Sequence, residues 1–166
     1  MNHIVRGLLA AILLGCLLPT AHAAEPLVIG FDIELTGGLA PNGKAALLAM
    51  QIWAEETNAK GGLLGRPVKL VFYDDQSNPS NVPGIYTKLL DVDKVDLVVS
   101  GYATNMVAPA MPIVMQHNRV FLGLLALAAN TEFNYPNYFS ISPTGGSHPK
   151  QSFSVAWPLG RSIFNP

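Results

Sequence analysis

The 166 residues carry 10 lysines and arginines against 11 aspartates and glutamates, a net charge of −1, and 49% of them are hydrophobic. With no block of basic residues, that balance argues against nucleic acid and anionic membrane surfaces as partners. Cys16 is the one cysteine, which rules out a disulfide framework and a thiolate metal cluster.

The chain opens with Arg6 and an apolar run from Leu8 to Leu18, ended by Pro19 and followed by Ala21-His22-Ala23. This is the layout of a secretory signal peptide over residues 1–23: a positive end, an apolar segment too short to span a bilayer, and a small-x-small cleavage site. Leu13-Leu14-Gly15-Cys16 also fits a lipoprotein box, which would make Cys16 a lipid anchor. Cleavage after Ala23 is preferred, because a cut before Cys16 strands Leu17 and Leu18. The 143 residues that remain hold nine basic and eleven acidic side chains and suffice for one domain with a real core.

Four short apolar runs then read as buried strands: Leu27 to Phe31, Val68 to Tyr73, Leu97 to Val99 and Val120 to Leu122. Each is continuous rather than alternating, as expected where both faces of a parallel sheet are covered. Between them come three helical patterns. Ala46, Ala49, Met50 and Trp53 form one apolar face, with Gly61 as a stop and Gly61-Gly62 as the turn into the second strand. Val82, Ile85, Tyr86, Leu89 and Leu90 form the next, with Pro79 and Pro83 suited to a first turn. Val107, Ala110, Met111 and Val114 form the third, where Pro112 predicts a kink. Asn137 to Ser142 is a candidate fifth strand, and Pro149 to Ala156 a candidate helix start. The alternation predicts an α/β fold, an open and mainly parallel sheet with helices on both faces.

Ligands of such sheets sit beyond the carboxyl ends of the strands. Four loops qualify: Glu34 to Lys44, Asp74 to Asn81, Gly101 to Asn105 and Leu124 to Asn130. Asp74 and Asp75 are adjacent on an extended chain and point apart, so they do not share a proton or a metal with each other. The reading preferred for them is structural, one capping the following turn and the other solvated. No histidine spacing suggests a metal site, and neither a dinucleotide fingerprint, a P-loop nor a nucleophile elbow is present. Gly101-Tyr102-Ala103-Thr104-Asn105 is more informative. It leaves a strand and enters a helix, with Thr104 or Asn105 as the N-cap, and such a helix start favours a carboxylate. Ala128-Ala129-Asn130-Thr131 places small residues at another strand's carboxyl side. Met106, Met111 and Met115 read as core filling.

The run "NAKGGLLGRPVKLVFYDDQSNP" resembles the branched-chain amino-acid-binding proteins of bacterial ABC transporters, which have the type I periplasmic binding fold. These carry Asn-x-x-Gly-Gly-x-x-Gly, a strand, Asp-Asp and a proline. "IGFDIELTGGLAPNGKAALLAMQIWAEETNAKGG", "VDLVVSGYATNMVAPAMPIV" and "FNYPNYFSISPTG" resemble further stretches of the family in the same order, from about Leu27 to Ser154. The resemblance implies two α/β lobes closing on a small ligand in the periplasm and handing it to an inner-membrane permease, with no catalytic residues, cofactor or metal. It implies that Asn42 lies over the ligand, that Thr104 with Asn105 holds a carboxylate, and that Ala128, Ala129 and Asn130 grip the head group.

The Tyr102-Ala103-Thr104-Asn105 loop lacks the family's Ser-Ser pair, so the expected ligand widens to an amino acid or a related small carboxylate or amide. Residues 24–145 correspond to the first lobe. Residues 146–166 correspond to a truncated or divergent start of the crossover, so the second lobe is expected to be missing and binding to be weak. A ligand-sensing ectodomain on the same fold is the alternative function, and a hydrolase using Asp74 or Asp75 a more distant one.

Overall fold

The computed structural model describes residues 24–141 other than 125, 127, 128 and 131. The expected signal peptide, the helix start after Pro149 and residues 142–166 lie outside the described residues. Five parallel strands form one sheet in the order β2-β1-β3-β4-β5: β1 Leu27–Ile33, β2 Val68–Asp74, β3 Leu97–Tyr102, β4 Phe121–Leu124 and β5 Tyr138–Ser140. The fifth strand is present and shorter than the sequence pattern suggests. Crossovers are made by α1 (Ala40–Ala59), α2 (Val82–Thr87) and α3 (Thr104–Gln116). A 3₁₀ turn at Pro79–Asn81 leads into α2, and a wider turn at Lys88–Val92 extends it. The arrangement is an open parallel α/β sheet with helices on both faces.

Alternate side chains of β1 serve opposite faces. Leu27, Ile29, Phe31 and Ile33 pack with Ala54, Val68 and Val99 on the α1 side, and Phe31 stacks on Phe72 at 5.5 Å between ring centroids. On the other side Val82, Tyr86, Leu89, Met106, Val107, Met111 and Phe121 form the larger core under α2 and α3. Gly30 belongs to this face because Val95 and Leu89 already fill the space a Cβ would need. Burying a large apolar side chain contributes roughly 1.5–3 kcal/mol, so these two layers dominate the lobe's stability.

Helix α1 corrects one expectation. Ala46 and Met50 face inward as expected, together with Gly43, Leu47 and Ala54, whereas Ala49 and Trp53 are exposed. The face is rotated because Gly43 is pressed against the Glu34 backbone, an approach that leaves no room for a Cβ. The helix ends as expected, on Gly61 and Gly62 at φ 100° and 84°, with the Gly62 N–H donating to the Thr57 carbonyl at 2.9 Å. Helix α3 runs through both Pro109 and Pro112.

The Gly-Arg-Pro turn closes the amino end of the sheet. Arg66 donates to the Glu25 and Pro26 carbonyls, both at 2.9 Å, and pairs with Asp96 at 3.2 Å. Asp96 also accepts the Val28 N–H at 2.8 Å, so a single fork fastens three strand starts.

Candidate ligand-binding edge of the sheet

At the carboxyl edge, the loop after β1 is fastened to the segment after β2. Asp74 accepts from the Leu35, Thr36 and Gln76 N–H groups at 2.9, 3.2 and 2.9 Å and from the Thr36 hydroxyl at 2.7 Å. Burial raises its carboxyl, but the Thr36 hydroxyl and the three N–H groups outweigh that and hold it below the usual range. Ser77 donates to the Thr36 carbonyl and accepts the Leu39 N–H, at 2.8 and 3.0 Å. This braced loop presents Asn42, exposed on the first turn of α1.

The expectation that one of the paired aspartates is solvated is corrected. Asp75 is fully buried and accepts the Ser77 N–H at 2.7 Å. Both aspartates therefore cap the turn that follows β2, and each is occupied by the scaffold.

The loop between β3 and α3 holds the most unusual backbone. The residue preceding α3 is Ala103, not Thr104 or Asn105, and it makes no side-chain cap. Its φ of 83° and ψ of 151° fall in a region that essentially only glycine occupies at low cost. Thr104 opens the helix and Asn105 is exposed beside it. The first turn of α3 directs the positive end of the helix dipole to the edge, with the Met106 N–H donating to the Ala103 carbonyl at 3.1 Å. Tyr102 is half-buried, and its N–H donates to Glu34 at 3.3 Å.

After β4 the expectations divide. Ala128 lies outside the described residues. Ala129 is packed into the larger core. The Asn130 side chain is spent on its own loop, donating to the Tyr135 carbonyl at 2.9 Å and accepting the Tyr135 N–H at 2.8 Å. It acts as a brace. Asn42 and Tyr102–Asn105 lie where the neighbouring strands β1 and β3 lead into α1 and α3.

Beneath that loop lies a group that the sequence reading passed over. Asp32 on β1 has no exposed surface, and its Oδ1 accepts the Gly101 N–H at 2.6 Å. That oxygen also lies 2.6 Å from the Tyr86 hydroxyl, whose one proton is also within reach of the Val99 carbonyl at 2.8 Å. A Cβ on Gly101 would stand 2.9 Å from both Asp32 oxygens, so the carboxyl packs flat on the β3 backbone. Glu34, two residues on, is equally buried. Burial pushes Asp32 up to about 7 and Glu34 up to about 7, and raises Asp75. Asp32 Oδ2, Glu34 Oε1 and Asp75 Oδ2 have no hydrogen-bond donor. Among the described residues no group of three or more His, Cys, Asp or Glu is placed to hold a metal ion. The signal for this floor was acids at alternate positions of an otherwise apolar strand, Phe31-Asp32-Ile33-Glu34, where buried parallel strands are ordinarily hydrophobic.

In open parallel α/β sheets ligands bind beyond the carboxyl ends of the strands, the edge that here carries the strained loop and the start of α3. The chain belongs to the family described as "Periplasmic binding protein", whose profile matches residues 26–158. It is 31% identical over 108 residues to an amino acid binding protein of Pseudomonas aeruginosa, covering 65% of this chain and 29% of that protein. Two solved structures share the fold. One is the branched-chain amino acid transporter substrate-binding protein LivJ of Streptococcus pneumoniae in complex with isoleucine, with a TM-score of 0.68 and 24% identity over 72% of this chain and 34% of the other. The other is a solute binding protein of an ABC transporter from Rhodopseudomonas palustris BisB5 in complex with 3,4-dihydroxybenzoic acid, with a TM-score of 0.64 and 21% identity over 72% and 32%. The chain thus spans about a third of the length of the proteins it matches.

Proposed function

We propose that this lobe is the ligand-receiving half of a periplasmic solute-binding protein of an ABC importer, and that it takes the carboxylate of an amino acid or another small organic acid. The carrying observation is Ala103. An alanine held in glycine-only backbone, where β3 turns into α3, is a cost of about 1–3 kcal/mol that a fold retains chiefly at functional sites. The carboxylate docks on the first turn of α3, at Thr104 and Asn105, with Tyr102 beside it and Asn42 above. Asn130 holds the neighbouring loop in shape through Tyr135. Isoleucine and dihydroxybenzoic acid, the ligands of the two solved relatives, have a carboxylate in common, which supports reading this site by that group.

In this reading the protein is secreted through residues 1–23, works without catalytic residues or cofactor, and delivers its ligand to an inner-membrane permease. Residues 24–145 form the lobe. A helix-terminus contact contributes about 0.3–1 kcal/mol where exposed, so one lobe without a partner to exclude water binds in the millimolar range or weaker. Backbone amide shifts followed by NMR during titration with isoleucine, benzoate and their neutral amides test this. The acids should move the amides of residues 103–106 and the neutral amides should not. Equal responses to both, or shifts confined to other loops, would remove carboxylate recognition from this edge.

A further inference from the structure

The buried acids form a second site under the first. We propose that Asp32 and Asp75 hold one proton between them, an O–H of one carboxyl donating to the other, and that this buried proton-binding pair fastens β1 to the segment after β2 and steadies the Gly101–Thr104 loop. Each aspartate has one satisfied oxygen: Asp32 Oδ1 accepts from Gly101 and lies beside the Tyr86 hydroxyl, and Asp75 Oδ1 accepts from Ser77. Each has one buried oxygen with no donor, Asp32 Oδ2 and Asp75 Oδ2, and neither residue has exposed surface. Two buried acceptors of this kind are costly apart and repel when both are ionised, but one shared proton turns them into a hydrogen bond. Ile33 and Asp74 are paired in the β1–β2 register and the Asp75 N–H donates to the Ile33 carbonyl at 3.3 Å, so Asp32 and Asp75 project from the same face of adjacent strands.

The groups facing the pair reinforce proton retention. From β1 comes Glu34 and from the β2 end Asp74, both acidic; α2 contributes the Tyr86 hydroxyl, and β3 the Gly101 N–H. Burial keeps Tyr86 well above its ordinary range, so it remains a donor. When the proton leaves to solvent, a second negative charge appears beside Glu34 with no exposed surface to hydrate it. The Gly101 N–H is one peptide unit from Tyr102, so that repulsion is delivered to the loop carrying Ala103. The pair belongs to the lobe itself and stands whether or not the loop above binds a ligand; a proton dependence of ligand affinity rests in addition on the proposed function.

Urea unfolding of the wild-type chain, Asp32→Asn and Asp75→Asn across about pH 5 to 8 tests the pair. Either asparagine keeps an oxygen acceptor and supplies a permanent N–H donor to the other carboxylate, so it copies the protonated pair. The unfolding constant of the wild type should rise by up to about tenfold per pH unit toward pH 7 relative to each variant. Wild type and both variants running parallel would overturn the proposal. Should a variant fail to fold, infrared spectroscopy of the wild type labelled with ¹³C-aspartate decides alone. One protonated aspartate per molecule at about pH 6 supports a shared proton; none, or two, overturns it.

Discussion

The two ends of the sheet are held by opposite electrostatics. At the amino end a cation and an acid, Arg66 and Asp96, meet at 3.2 Å with carbonyls and the Val28 N–H completing the set. At the carboxyl end four acids, Asp32, Glu34, Asp74 and Asp75, converge on N–H and hydroxyl donors and on one another. The amino end closes a structure. The carboxyl end keeps its charge unbalanced, and there the backbone is also strained at Ala103. Local discord of this kind is what a fold tolerates at a working edge.

The carboxyl end itself divides into a floor and a rim, and the floor has the larger effect. Asp32→Ala leaves the Gly101 N–H without an acceptor in the core and should cost about 3 kcal/mol near pH 5, read from urea unfolding. The sign of the pH dependence follows from the raised pKa. Stability contributed by Asp32 is full below the unfolded value of 3.8 and is lost as pH rises through about 7, so the deficit of the alanine variant should shrink toward pH 8. A constant deficit would mean that only shape, not protonation, matters at the floor.

The rim should behave the opposite way. Asp74→Ala removes the acceptor of four donors in a partly exposed setting, where water substitutes in part; a loss of about 1–2 kcal/mol at neutral pH is expected. Because the folded pKa is lowered, that contribution is present above 3.8 and lost as pH falls through the folded value. Wild type and variant should therefore converge in acid. If they instead converge in base, rim and floor are one electrostatic unit and the division fails.

Much of this was legible in the sequence. Continuous apolar runs gave the parallel strands, and the Gly61-Gly62 stop and the prolines near Val82 were read in their right roles. The ordered motifs alone point to the family. What escaped depends on contacts between segments far apart in the chain. The face of α1 turns on Gly43 meeting Glu34, which no periodicity of the helix records. Nothing local announces that neither of the adjacent aspartates is free in solvent. The donors of Asp74 on Leu35 and Thr36, 39 and 38 positions earlier, and the burial of Asp75 come from the loop after β1. Capping preference favours Thr104 or Asn105 as the N-cap of α3, and the chain uses a strained alanine instead. The bond of Asn130 to the Tyr135 backbone completes a local loop that single residue types do not announce.

Ala103→Gly sharpens the comparison at smaller magnitude. Glycine reaches φ 83° without the Cβ penalty but loses more entropy on folding, so the variant should gain about 1 kcal/mol by thermal unfolding. A destabilised variant would show that the loop is relaxed and that the Ala103 methyl contributes packing.

The smallest effect belongs to the amino end, where opposite charges are partly in water. Asp96→Asn keeps an oxygen for the Val28 N–H and leaves Arg66 its two carbonyls, removing only the ionic part of the contact. With 35% of the Arg66 side chain and 39% of Asp96 exposed, that part is screened and worth about 0.5 kcal/mol. The loss should fade as salt is raised, because exposed pairs weaken within a shorter Debye length. At the carboxyl floor, where the acids are buried, added salt should leave the difference between wild type and Asp32→Asn almost unchanged. A salt response of equal size at both ends would contradict the burial that separates them, and the contrast between a closed amino end and a charged carboxyl end would then lose its physical basis.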